Sequence, residues 1–289
     1  MKFWQAITWA ETEQLTEIAK FAEEVGFDGL MGGDHAVYPE TIAAGYPYSE
    51  DGRPDMSPDW EYPDQWVSIA AMAAVTKRIR FTTGVYVLPA RNPHEVARAT
   101  ATLGIMTQDR FILGVGAGWM KEEFEIYDVP FAGRGKRMDE CIEVIRKLWT
   151  GEMVEHHGEH FEFPRVQLSP VPANAPPIYV GGDNKLALRR AAYLGDGWIG
   201  AGNTPEEVPA LLAELSRLRA EAGRDHLPFE TLIGLKAELT LDLLKRMRDE
   251  TGMTSALAYP FRFALGERSS LDEKKRMMEQ LAEKLIRKL

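Results

Sequence analysis

A chain of 289 residues suits one large domain or two small ones. Its 44 Asp and Glu against 34 Lys and Arg leave a formal charge of −10 with no basic stripe to relieve it, which argues against a nucleic-acid or acidic-membrane binder. Cys141 is the single cysteine, so an intrachain disulfide is excluded; with Ile145, Leu148 and Trp149 at helical spacing it reads as core packing in a reducing compartment.

The amino-terminal MKFWQAIT lacks an apolar run of signal-peptide length and no later stretch approaches a membrane span, so a cytoplasmic protein is expected. Lys2 to Thr8 reads as a strand. Glu11 to Val25 carries Leu15, Ile18, Ala19, Ala22 and Val25 on one helical face before Gly26 stops it. A second strand, Asp28 to Met31, ends at Gly32-Gly33-Asp34-His35. The stretch 36–62 that follows is rich in Pro, Gly, Asp and aromatics (Tyr38, Tyr46, Tyr48, Trp60, Tyr62); it is a lid over a site or an ordinary surface excursion. Pro63 is expected in the first turn of a helix reaching Thr76. The strand Ile79 to Leu88 is interrupted at Gly84, a residue that signals a bulge or a close backbone approach. Pro93 opens a helix through Met106, and a strand from Arg110 to Val115, apolar after its first position, runs into Gly116-Ala117-Gly118.

Asp139 to Trp149 reads as helix. Residues 152–176 break the rhythm: VEHHGEHFEF suggests a hairpin and prolines follow, so this is an insertion. Strands at Ile178–Val180, Gly197–Gly200, Glu230–Leu235 and Ser255–Tyr259 then alternate with helices at Lys185–Leu194, Pro205–Ala222, Leu241–Glu250 and from Leu271. Eight strands, each followed by a helix, predict a (β/α)8 TIM barrel with insertions, one domain over 1–289.

In such a barrel function lies at the carboxyl ends of the strands. At Gly181-Gly182-Asp183-Asn184-Lys185 a strand meets a helix through glycines, where amides and the helix dipole can hold a phosphate; a tight turn with a good cap explains the same residues. Arg134 and Arg137 stand where a helix dipole disfavours cations, so pairing with Asp139, Glu140, Glu122 or Glu123 is expected. Asp34-His35 offers an imidazole beside a carboxylate that can fix its tautomer and so move a proton, or a strand-end turn with a hydrogen-bonded histidine. His156, His157 and His160 do not match catalytic zinc spacing, and 156 and 157 face opposite ways on a strand, so no metal is expected.

RFILGVGAGWMKEEF, FAGRGKRMDECIEVIRKLWTGE, PPIYVGG and LRRAAYLGDGWIG, with Asp34-His35 and TTGVYVLPARNP, together resemble the bacterial luciferase-like superfamily over nearly the whole chain. The resemblance implies a luciferase-like barrel and a cofactor that is either the deazaflavin coenzyme F-420 or FMN; Asp34-His35 points to the deazaflavin branch. It implies that Asp34 and His35 lie beside the ring, the histidine exchanging a proton. It implies a bulge with a non-prolyl cis peptide at Gly84-Val85 backing the ring, cofactor contact at Ala117 and Gly118, and the phosphate at Gly181, Gly182, Asp183, Asn184 and Lys185. A homodimer acting on a small organic molecule is also implied. In the superfamily's sugar-phosphate dehydrogenases a glutamate directly follows the GxG; here that residue is Trp119, which argues against sugar-phosphate oxidation.

The expected reaction is hydride transfer between F-420 and an organic substrate, with FMN-dependent monooxygenation as the alternative in the same pocket. A phosphate-binding lyase or isomerase and a non-catalytic cofactor carrier are the readings from other classes; the lyase would want a lysine or paired acids at a strand end.

Overall fold

The computed structural model describes residues 1–43, 45–46, 52–54 and 56–289. In chain order its regular elements are β1 (Lys2–Ala6), α1 (Leu15–Val25), β2 (Gly29–Gly32), α2 (Gln65–Ala74), β3 (Arg80–Thr83), β4 (Tyr86–Val87), α3 (Pro93–Met106), β5 (Phe111–Gly116), α4 (Lys121–Ile126) and α5 (Arg134–Trp149). Then come β6 (Val154–His157), β7 (Glu162–Val166), β8 (Ile178–Gly181), α6 (Lys185–Leu194), β9 (Gly197–Asn203), α7 (Val208–Glu221), β10 (Glu230–Leu235), α8 (Leu241–Thr251), β11 (Ser255–Ala258), α9 (Arg262–Leu265) and α10 (Leu271–Lys284).

Strands β1, β2, β3, β5, β8, β9, β10 and β11 pair in that order, all parallel, and β11 returns to β1. The (β/α)8 barrel is therefore closed. Its strands are buried on both faces: Trp4, Ala6, Met31, Ile112, Tyr179, Ile199, Leu232 and Leu257 fill the inside, while alternate residues such as Phe3, Leu30, Phe81 and Phe111 pack outward against the helices. Cys141 sits in that outer core, where burial pushes its thiol up to about 12.

Among the boundaries that differ from the sequence pattern, three have a clear local cause. The strand expected through Gly84 is cut into β3 and β4 by a cis Gly84-Val85 bond, at the position the family resemblance implied. Pro63 lies ahead of α2, whose cap is Asp64, its carboxylate accepting from the Val67 amide at 2.9 Å. Helix α5 starts at Arg134 instead of Asp139, because Gly133 in a left-handed conformation turns the chain early and the polar first turn shows no apolar periodicity. The hairpin is present as β6 and β7, antiparallel. His156 turns inward onto Phe163, with Nε2 at 3.1 Å from Glu140 and Nδ1 at 3.0 Å from Lys147, while the His157 side chain is 66% exposed. An open groove of about 800 Å³ lies beside this hairpin on the barrel flank, walled by both signs of charge (Lys136, Glu143, Arg146, Lys147). None of the residues named for the rim lines it.

At the amino-terminal end of the barrel, the first residues of β1, β3 and β10 meet. Lys2 Nζ lies 2.5 Å from Glu230, and Arg80 reaches Glu230 at 3.0 and 3.1 Å and the Tyr179 hydroxyl at 3.4 Å. Burial works against the charge on Glu230, but Lys2 and Arg80 outweigh it and hold the carboxyl below the usual range. A carboxyl depressed in the folded state adds stability above its unfolded value and loses it as pH falls through the folded one. Glu230→Gln should therefore melt below the wild type at neutral pH, with the gap closing as pH falls from the ordinary carboxylate range through the depressed folded value. Parallel melting curves across that window would contradict the assignment.

Candidate active site

The carboxyl ends of the strands bring most of the expected residues to one rim. Strand β2 leaves the barrel under the grip of Gln65, whose Nε2 donates to the Gly33 carbonyl at 2.7 Å and to Pro63 at 3.0 Å. The two residues that follow then part company. The Asp34 carboxylate accepts from the Val87 amide at 3.1 Å and from Arg91 at 3.2 Å on both oxygens, while Arg91 also stacks on Tyr86 and Tyr127. Burial pushes the Asp34 carboxyl above its usual range, with Arg91 pulling the other way. It ties β4 to the end of β2.

His35 takes its carboxylate from elsewhere. Its Nδ1 lies 3.1 Å from Glu123 Oε2, and the other oxygen of Glu123 accepts from the Ala36 amide at 2.9 Å. The expectation that Asp34 fixes the imidazole is thus corrected: Glu123, its side chain only 4% exposed, does so from the first turn of α4. A carboxylate on Nδ1 selects the tautomer with the proton there and leaves Nε2 as the acceptor. Tyr62 and Trp119 meet the imidazole edge-on at 5.1 and 5.9 Å.

Residues 36–62 pack onto this rim where they are described; Tyr48 lies outside the described residues. Ala43 donates its amide to Glu122 at 2.7 Å, and Glu61 accepts from the amide and hydroxyl of Thr12 at 2.8 and 2.5 Å. Glu122 and Glu123, both in the first turn of α4, therefore hold backbone of this stretch, the roles that sequence alone could not divide between them. Tyr46 packs on Trp119, and Trp60 and Tyr62 on Trp9.

The glycine-bearing turns make room chiefly for the protein's own side chains. A Cβ at Gly116 would stand 2.3 Å from Val85, one at Gly181 2.5 Å from the same side chain, and one at Gly118 2.6 Å from Val87 and 2.9 Å from Phe124. Val85 is thus wedged between the ends of β5 and β8. At the following helix, Asn184 caps α6 by accepting from the Leu186 and Ala187 amides at 3.1 and 2.9 Å. Gly182, at φ +111°, donates to Ile199 and accepts from the Trp198 indole, and Asp183 accepts from Asn203 at 2.9 Å. Lys185 is exposed. The turn and cap are realised in full.

Arg134 and Arg137 do not find the acids expected for them. Arg134 donates to the Gly118 carbonyl at 3.0 Å and stacks on Phe131; Arg137 donates to Pro89 at 3.0 Å and stacks on Phe161. Asp139 pairs with Arg190, and Glu140 holds His156 and the hairpin amides. Carbonyls and ring faces satisfy these cations instead.

Residues 5–240 match the model of a family described as luciferase-like monooxygenase. The chain belongs to this luciferase-like family. The Mycobacterium tuberculosis protein Rv0940c is 37% identical over 290 residues, covering the whole of both chains. An F420-dependent glucose-6-phosphate dehydrogenase of Nakamurella multipartita is 31% identical over 286 residues, 94% of this chain and 75% of that protein. Among solved structures, an F420-dependent secondary alcohol dehydrogenase in complex with an F420-acetone adduct superposes with a TM-score of 0.78 at 17% identity, over 100% of this chain and 99% of the other, a likeness of fold. The luciferase-like chain is an oxidoreductase. No helix among the described residues is long and apolar enough to cross a membrane.

Proposed function

We propose that this luciferase-like oxidoreductase transfers a hydride between a deazaflavin of the F-420 type and a small organic substrate, with His35 exchanging the accompanying proton. The observation that carries the reading is the buried Glu123 carboxylate on His35 Nδ1, which leaves Nε2, unbonded among the described residues, as the proton acceptor at the rim. The names of F420-dependent relatives support the choice of cofactor.

The residues present fit such a group. The backbone at Gly84-Val85 and Ala117-Gly118 would lie against a flat ring, with the Val85 isopropyl group half-buried beneath it. For a phosphate, the first four amides of a helix lack intrahelical partners; Asn184 takes two, which leaves those of Asn184 and Lys185 with the positive end of the dipole and the Lys185 ammonium. Gly181 and Gly182 shape that turn and Asp183, held by Asn203, borders it. When bound, the deazaflavin supplies the hydride donor or acceptor. The chain orients the substrate under the 36–62 stretch, excludes water with Tyr62, Trp119 and Trp60, and keeps one imidazole in a single tautomer. Asp34 acts on this site through the placement of β4.

FMN is the second reading, favoured by the monooxygenase description of the family model; the same mouth would then serve oxygenation. Titrating the purified protein with F-420 and with FMN separately, followed by fluorescence, decides between them. Saturable binding of F-420 supports the proposal. Binding of FMN alone moves the assignment to the monooxygenase, and binding of neither removes both.

A further inference from the structure

Resting on the reading of the barrel mouth as the reaction site, we infer that Arg262 recognises an anion there and that the substrate is an organic acid, its carboxylate on the guanidinium and its apolar body along the aromatic wall. Arg262 follows β11 and opens α9. Its guanidinium lies 3.1 Å from the Trp60 ring centroid and 5.3 Å from that of Trp9, and it has no carboxylate partner among the described residues. Its Nη1 is buried without an acceptor.

An unpaired guanidinium is unusual company in a chain with this excess of acid. The carboxylates that flank the mouth are already engaged: Glu11 with Lys274 and the Ser269 amide, Glu61 with Thr12, Glu123 with His35, Asp34 with Arg91. Stacking on indoles orients a guanidinium but leaves its in-plane donors unsatisfied, and those donors match the two oxygens of a carboxylate. A second donor stands nearby. The Trp9 indole N–H is buried, and although it lies toward the Tyr62 hydroxyl it is outside hydrogen-bond geometry. Trp9 is held at φ +62°, a left-handed conformation rare for a bulky residue, so its placement is imposed by the surrounding loops.

Geometry links this pair to the chemistry. The Tyr62 ring meets His35 at 5.1 Å on one side and Trp9 at 6.3 Å on the other, so the anion site and the imidazole are separated by two aromatic rings. Between them the wall is Trp9, Tyr62 and Phe263, the last 59% exposed although apolar. A sugar would leave its hydroxyls facing rings. A carboxylic acid with an apolar body would not, in keeping with Trp119 standing where sugar-phosphate dehydrogenases carry glutamate.

The test uses the full chain without added cofactor and reads tryptophan fluorescence, since Trp9 and Trp60 line the site. The probes are 3-phenylpropionate, its neutral amide, and inorganic phosphate. The acid should bind saturably, the amide about tenfold more weakly or worse, and phosphate should not compete. Arg262→Gln and Arg262→Ala should each weaken the acid by about tenfold or more, with Arg262→Lys between them and the wild type. Arg262→Gln keeps a polar though shorter side chain, and its loss of binding cannot be laid to a collapsed fold if its melting curve is unchanged. Equal binding of acid and amide, wild-type affinity in both variants, or full competition by phosphate would each overturn the inference. So would weakened F-420 binding in Arg262→Gln with acid binding intact, because the anion would then be the coenzyme's own. Arg262-dependent acid binding in a protein that fails to bind F-420 would leave this inference standing and remove the cofactor assignment.

Discussion

His35→Ala is expected to lower kcat for hydride transfer by about 10²–10⁴-fold while F-420 still binds. Alanine removes the imidazole that the end of β2 presents to the mouth and leaves the glycine-lined rim, the α6 cap and the aromatic wall untouched. The loss should therefore fall on kcat more than on KM. Glu123→Gln separates the proton carrier from its support. Glutamine can still accept at one oxygen, but its amide can equally turn a donor toward Nδ1, so the tautomer is no longer fixed. A smaller fall in kcat is expected. Nitrogen-15 shifts of the imidazole should report a single Nδ1-protonated form in the wild type and a mixture in Glu123→Gln. Turnover of His35→Ala at the wild-type rate would refute the role given to this residue, and an unchanged tautomer in Glu123→Gln would refute the role of its carboxylate.

The barrel was legible because most of its strands are short, largely apolar runs and most of its helices carry an apolar stripe, features local enough to be read within ten or fifteen residues. The strand ends were legible by consequence, which is why Asp34-His35, Gly84-Val85, Gly116 to Gly118 and Gly181 to Lys185 could be set around one rim. Which side chain faces which partner was not. His35 and Glu123 are 88 residues apart, and only the fold brings the first turn of α4 to the end of β2. The neighbour in sequence, Asp34, was the natural candidate, and it is turned to Arg91 instead. The acid partners expected for Arg134 and Arg137 failed for a related reason. Charge counting sees carboxylates, whereas these guanidinium groups rest on Phe131, Phe161 and backbone carbonyls. Arg262 could be placed at a strand end, since 260–263 follow the last barrel strand, but nothing in PFRF itself marks an anion site. Only the fold places it between two tryptophans drawn from residues 9 and 60.

Glycines show the same division between what a sequence marks and what it explains, and one of them carries the largest effect on stability expected here. Gly114→Ala should lower stability by about 3 kcal/mol, at the upper end of the usual cost of overpacking a core. Gly114 lies in the middle of β5, and a Cβ there would stand 1.9 Å from the Thr83 carbonyl oxygen, 2.9 Å from Thr82 Oγ1 and 3.0 Å from Ile199. The nearest obstacle is backbone and cannot rotate away. The Thr83 hydroxyl also donates to the Gly114 carbonyl at 2.6 Å, so β3 and β5 are clamped at the very place where they would have to separate. For a chain of this size the melting temperature should fall by about 6–12 °C. Gly252→Ala is the control: its φ of +75° strains alanine by about 1–2 kcal/mol, but no atom lies within 4 Å of the added carbon. Because β5 leads directly into Gly116-Ala117-Gly118 and α4, spreading it would also draw Glu123 away from His35. Gly114→Ala that remains folded at lower temperature should accordingly show the mixed imidazole tautomers of Glu123→Gln, and Gly252→Ala should not. A melting shift for Gly114→Ala no larger than that of the control would mean that β3 and β5 have slack, and that the rim they support is not set by their packing.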